Sequence, residues 1–239
     1  MQIKKILYER VAILCFCFAS VHTQQNFQID FPPEEFQQRW DSVYSRIGDN
    51  AVAVVQGFSQ PNGFVMPRQT NTFYYLSGIE TPHAYLLLDG RTKKTTLYLP
   101  PANKKLEKSE GKLLSSEDGP LLRKLVGVDS VKPVDEMTKN FPPDLKKKDI
   151  IYTMFSPAEG QGQTRHVLEV ANALISKDYW DGRVSRESRL VELLKSRNPK
   201  NKIEDLTPVI DQLRSVKSKN EISLIRRASQ LADLGMIEA

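Results

Sequence analysis

The sequence predicts an α/β fold: a mixed β-sheet flanked by helices, followed by the start of a second, incomplete domain. Three observations carry this reading. Short apolar runs of strand length alternate with segments of helical periodicity. Two of those runs flank an Asp-Gly turn signal, Asp89-Gly90, so the sheet is expected to be mixed, not purely parallel. The last stretch reads as a capped amphipathic helix whose apolar stripe has no following chain to cover it.

The elements follow in order. Residues 1–23 have the layout of a signal peptide: basic Lys4, Lys5 and Arg10, then apolar Val11 to Val21, then polar His22 to Gln25. The apolar run is shorter than the about 20 residues a spanning helix needs; a short signal-anchor is the alternative. Cleavage is expected between Ser20 and Gln25, after which the chain is secreted and holds no membrane segment. Cys15 and Cys17 both lie in the leader, so stability must come from a core and not from disulfides. The formal charge is +5, and the leader carries Lys4, Lys5 and Arg10 against Glu9, which leaves +3. The lysines fall in short scattered runs without interleaved aromatics, so nucleic acid is not an expected partner.

Residues 27–200 are expected to form the α/β domain. Within it, 33–47 reads as a helix: Pro33 suits the first turn, Phe36, Trp40, Val43, Tyr44 and Ile47 share a face, and Gly48 stops it. Strands are expected at 51–56, 84–88, 95–99 and 149–154. Residues 130–134 suit an edge strand, because Pro133 cannot donate to a ladder. The segment 104–119 is polar and reads as a surface excursion; 121–126, 165–179 and 189–195 read as helices. Residues 201–239 are expected to be a linker and a helix opened by the capping box Ser218-Lys219-Asn220-Glu221. Ile222, Ile225, Ser229, Ala232 and Met236 then share a face.

No complete catalytic constellation is visible. Beyond the leader the histidines are His83 and His166, and neither has metal-ligand spacing; Glu169 is the nearest carboxylate to His166. Asp178 and Asp181 flank Tyr179-Trp180 and read as solvent-facing caps more readily than as a site. The stretch 68–82 stands out as an aromatic cluster after a loop. Its Arg68 could stack on the tyrosines or bind a carboxylate; a core cluster with a structural Arg68 is the other reading.

Arg68, Phe73-Tyr74-Tyr75-Leu76-Ser77-Gly78 and Pro82 resemble the R-x-x-x-x-F-x-Y-L-x-G-x-x-x-P signature of the aminopeptidase P N-terminal domain, which precedes the catalytic part of Xaa-Pro aminopeptidases and prolidases. Leu97 to Pro101 looks like the strand and proline turn of that family. Leu213 to Ala228 is similar to the L-R-x-x-K-s-x-x-E-I-x-x-I-r-x-A segment that opens its catalytic domain. The resemblance implies a manganese-dependent metallopeptidase acting on proline-containing peptides, with two metal ions held by two aspartates, a histidine and two glutamates. Those ligands would lie beyond Ala239, so this chain is expected to have no catalytic residues of its own, to bind no metal pair and to be inactive alone. The resemblance also implies that the position of Tyr74 walls off a substrate pocket, at times a neighbouring subunit's. Tyr74 is thus the first substrate-side candidate, with Arg68 and Tyr75 behind it. The alternatives are a non-catalytic binding or oligomerisation domain and the N-terminal half of a prolidase. A nuclear histone-chaperone relative is disfavoured by the leader and the lack of an acidic tail.

Overall fold

The structure, a computed structural model, describes residues 27–59, 68–137, 141–160 and 162–237. The leader, with Cys15 and Cys17, lies outside the described residues. Helix α1 (Pro33–Ile47) leads into strand β1 (Ala51–Gln56), helix α2 (Asn71–Ser77), strands β2 (Tyr85–Asp89) and β3 (Lys94–Leu99), helix α3 (Lys104–Glu110), helix α4 (Gly119–Val126), and strands β4 (Ser130–Pro133) and β5 (Ile150–Thr153). Helices α5 (Arg165–Ser176) and α6 (Arg186–Arg197), strand β6 (Lys202–Asp205), and helices α7 (Thr207–Ser215) and α8 (Lys219–Ile237) complete it.

One six-stranded sheet runs β4-β3-β2-β1-β5-β6. The pairs β1–β2 and β2–β3 are antiparallel, whereas β1–β5, β5–β6 and β3–β4 are parallel. The sheet is therefore mixed, as the Asp89-Gly90 signal predicts. Pro133 pairs with Leu99 at the sheet edge, where its missing donor costs nothing. Gly90 is required at the turn, because a Cβ there would lie 2.4 Å from the Gly48 carbonyl oxygen. Arg91 pins this turn to the start of β5, donating to Asp89 Oδ2 at 2.7 Å and Asp149 Oδ2 at 3.0 Å.

Strand alternation divides the core between two faces. Ala51, Ala53, Val55, Leu86, Leu88, Leu97 and Leu99 pack with Phe36, Trp40, Leu76, Leu122 and Ile210 from α1, α2, α4 and α7. Val52, Val54, Leu87, Tyr98 and Ile151 face the other way, onto Phe141 and Leu194. Trp40 is fully buried, and its indole Nε1 donates to the Leu76 carbonyl at 2.8 Å, which locks α1 to α2.

Several expectations are corrected. The 104–119 excursion contains α3 and a 3₁₀ turn, Ser116–Asp118. Its Lys-Lys-Leu-Glu-Lys-Ser-Glu run has too few apolar residues to show a helical period, yet Asn103 caps it by accepting from Leu106 N at 3.1 Å. Helix α5 stops at Ser176, not 179, because Asp178 Oδ1 accepts from the amides of Trp180 (2.8 Å) and Asp181 (3.3 Å), a local turn that competes with helix. Helix α6 begins at Arg186, where Ser185 Oγ accepts from Ser188 N at 3.0 Å. The sheet reaches past residue 200, since β6 supplies its last strand and α7 packs back on α1.

Replacing Trp40 by Ala is expected to destabilise the chain by about 3–5 kcal/mol through a core cavity and an orphaned Leu76 carbonyl. A urea titration followed by circular dichroism measures it.

Candidate functional site

The conspicuous stretch 68–82 folds into α2 and its flanks. Thr70 Oγ1 accepts from Phe73 N at 3.3 Å, and Gly78, at φ 63°, closes the helix with its N–H on the Tyr74 carbonyl at 2.7 Å. A Cβ on Gly78 would come within 2.6 Å of Phe36 Cζ, so the turn also needs glycine for room. The short helix faces α1, and Arg39 fills the contact.

Arg39 comes from the buried face of α1, with 7% of its side chain exposed. Its Nη1 donates to the Tyr75 carbonyl at 2.6 Å and its Nη2 to Glu35 Oε1 at 2.8 Å. The guanidinium lies 4.2 Å from the Tyr75 ring centroid and 4.9 Å from that of Phe31. Asn220 Nδ2 donates to the other Glu35 oxygen at 2.9 Å, and Glu221 Oε1 is 3.6 Å from Arg39. Burial works against charge on Glu35, but hydrogen bonds from Ser218 and Asn220 and the Arg39 cation outweigh it, holding this carboxyl below its ordinary range. The capping box of α8 forms as the sequence predicts, with Ser218 N on Glu221 Oε2 at 2.8 Å and Glu221 N on Ser218 Oγ at 3.1 Å.

Tyr74 and Tyr75 line one cavity of about 350 Å³ with Phe31, Arg39, Leu224 and Ile225. Tyr74 is half-buried against the core, and its hydroxyl makes no hydrogen bond among the described residues. Burial, reinforced by Glu80 and Asp30, pushes its phenol up to about 12, and burial likewise raises Tyr75. From this cavity α8 leads away with Ile225, Leu231, Leu234 and Met236 exposed, so its apolar stripe has no cover among the described residues.

Arg68 is not part of that cluster. It is 62% exposed and ion-pairs with Glu80 at 3.0 Å; Glu80 Oε2 also accepts from Gln69 N at 2.6 Å. The cation that stacks on Tyr75 is Arg39, which the sequence signalled only through its Glu35 partner four residues earlier. Arg68 instead borders a smaller cavity of about 160 Å³ with Gln69, Asn172 and Arg186. A larger cavity, about 650 Å³, lies between 81–83 and 100–115, lined by Pro82, Pro100, Pro101 and Leu114, and neither tyrosine reaches it.

His83 sits exposed in a left-handed turn, φ 59°, and His166 is exposed at the start of α5. Asp178 and Asp181 serve a local turn, and Asp181 pairs with Arg183. Among the described residues no three His, Cys, Asp or Glu side chains converge in a way that fits a metal ion, so no step through a metal is derived for them. Nor is any described helix long and apolar enough to cross a membrane.

Residues 36–152 match the profile of the aminopeptidase P N-terminal domain. The chain is similar to an Xaa-Pro aminopeptidase of Haemophilus influenzae, 27% identical in an alignment of 221 residues that covers 89% of this chain and 44% of that protein. Among solved structures it resembles one from Bacillus anthracis assigned as an aminopeptidase P: TM-score 0.61, 19% identity, 82% of this chain and 43% of that one. It also resembles Escherichia coli aminopeptidase P: TM-score 0.54, 20% identity, 84% and 42%. At these identities the structural likeness speaks for the fold. The chain spans less than half the length of these proteins.

Arg39→Ala is expected to cost about 3–5 kcal/mol, because it leaves Glu35 buried without its cation. Arg227→Ala, which breaks the exposed pair with Asp30, should cost under about 1 kcal/mol. Urea midpoints separate the two. Because the folded-state pKa of Glu35 is lowered, its contribution is complete above its ordinary 4.5 and lost as pH falls through the folded value. The wild-type midpoint should therefore fall on acidification from pH 6 to 3 more steeply than that of Glu35→Gln.

Proposed function

Since the chain belongs to the aminopeptidase P family through its N-terminal domain, we propose that it is the N-terminal portion of a secreted Xaa-Pro aminopeptidase-like metallopeptidase, which removes N-terminal residues preceding proline. The observation that carries this is the alignment with an Xaa-Pro aminopeptidase along 89% of the chain, which is more than the N-terminal domain profile matches at residues 36–152. The uncovered apolar stripe of α8 supports it, because such a stripe belongs against a further layer of protein. In this reading α8 leads from the α/β domain to the metallopeptidase domain, since β6 and α7 belong to the α/β domain. The metallopeptidase domain would hold the pair of manganese ions, and the chemistry they would supply is activation of a water at the bond before proline. This chain supplies none of their ligands and cleaves nothing by itself.

The role assigned to this chain is positional. Tyr74 presents a half-buried aromatic face at the mouth of the 350 Å³ cavity and keeps its proton to about pH 12. It is an apolar wall and a neutral donor, suited to close a pocket around a proline ring. Arg39 and Glu35 hold α2 and the start of α8 at a set distance and orient that wall.

Three measurements test the reading. In the longer protein, Tyr74→Ala should lower kcat/KM for an Xaa-Pro peptide by roughly tenfold when assayed well below its unfolding midpoint. Unchanged kinetics would remove Tyr74 from the substrate side. The 239-residue chain alone, with added manganese, should release no product, and turnover would overturn the claim of inactivity. N-terminal sequencing of the product in culture medium should start between Ser20 and Gln25; retention in the cell would end the secretory part.

A further inference from the structure

Arg39, Arg91, Arg165 and Arg214 are each substantially buried, and each has a carboxylate partner: Glu35 at 2.8 Å, Asp89 at 2.7 Å, Asp211 at 2.6 Å and Glu159 at 3.1 Å. Arg186 is the exception. It is also partly buried, yet the Gly57 carbonyl, at 2.9 Å from Nη2, accepts the single hydrogen bond its side chain makes among the described residues. No carboxylate comes within ion-pair distance of it there. Burial pushes its pKa below the usual arginine value, with Glu187 and Tyr85 opposing. A guanidinium stays charged regardless, so the desolvation is a cost that a bound anion would offset.

Arg186 borders the cavity of about 160 Å³ that also receives Arg68, Asn172 and Gln163, with Phe58 and Leu168 as apolar walls. The volume equals that of about five waters. Its single lining carboxylate, Glu187, accepts from Ala158 N at 3.3 Å, and the charge of Arg68 is shared with Glu80. The rim is thus formally neutral, and what Arg186 lacks among the described residues is a carboxylate within ion-pair distance of its fork. The cavity lies beyond the carboxyl ends of β1 and β5, which are parallel neighbours in the sheet. In open α/β sheets this edge is where ligands collect, because loops diverge there and leave a crevice.

We propose that this cavity is a binding site for a small monocarboxylate, held in the planar fork of Arg186 with its short alkyl part between Phe58 and Leu168. The planar fork matches a carboxylate in two parallel hydrogen bonds, and among the described residues no carboxylate supplies them to Arg186. The site is distinct from the Tyr74–Tyr75 cavity and does not rest on the peptidase reading.

The test is isothermal titration of the full chain with acetate at constant ionic strength. Acetamide serves as the uncharged isostere and chloride as the generic anion. Saturable acetate binding is expected, absent for acetamide and chloride. It should persist in Arg189→Gln, an exposed change on the same helix, and vanish in Arg186→Gln. Should Arg186→Gln fail to fold, Arg186→Lys decides: an ammonium keeps the charge without the fork, so binding should weaken roughly tenfold. Failure of wild type to bind acetate overturns the proposal. So does equal binding of acetamide or chloride, or undiminished acetate binding in the Arg186 variants.

Discussion

The buried Arg39 guanidinium is the constraint on which the arrangement of this molecule turns. It is anchored on α1, and it reaches the end of α2 through the Tyr75 carbonyl and the start of α8 through Glu35 and Glu221. A cation so enclosed is tolerable only when its donors are matched, so the three elements that match it cannot drift independently. Its stacking on Tyr75 and Phe31 adds a directional preference that an ammonium could not supply. The position of Tyr74, next along α2, follows from this clamp and from the Trp40–Leu76 bond behind it.

The sheet provides the rigid frame for that clamp. Its central strand β1 is apolar on both faces, with Val52 and Val54 on one and Ala51, Ala53 and Val55 on the other. Helices therefore cover it from both sides, and the loops that carry chemistry-bearing side chains are pushed to its rim. The cavities around Tyr74, around Arg186 and beside the proline turn sit on this periphery, where loops can vary without disturbing the ladder.

The functional proposal joins two features of different origin. One is the aromatic wall at α2, shaped by packing. The other is α8, which is capped, tethered at its first turn and, beyond Leu224, without cover for its apolar stripe among the described residues. A tethered start with an open apolar stripe makes α8 a connector: its direction is set by this domain and its burial by whatever lies across the stripe. The half-buried tyrosine and the open stripe border the same cavity, so a partner layer on α8 would also approach Tyr74.

Much of this was legible in the sequence because it depends on local periodicity and caps. The bounds of α1 and β1, the edge position forced by Pro133, the Asp89-Gly90 reversal and the Ser218–Glu221 box each express a rule acting over a few residues. Short or weakly periodic elements escaped: α2 with seven residues, α3 with one apolar side chain, and β6, whose strand state comes from pairing with β5. Asp178 and Asp181 read correctly as turn caps, since an Asx turn is local. The partnerships of the arginines were not legible. That Arg39 rather than Arg68 meets Tyr75, that Glu80 takes Arg68, and that Arg186 meets no carboxylate among the described residues all depend on residues a dozen or more positions apart. By itself the sequence determined which segments fold, where they stop and which signature they carry, because those follow from steric and hydrogen-bonding rules within a turn or two. Only the tertiary structure decided which charge faces which, because long-range pairing is settled when the core closes and each buried ion must find its counterion or go without.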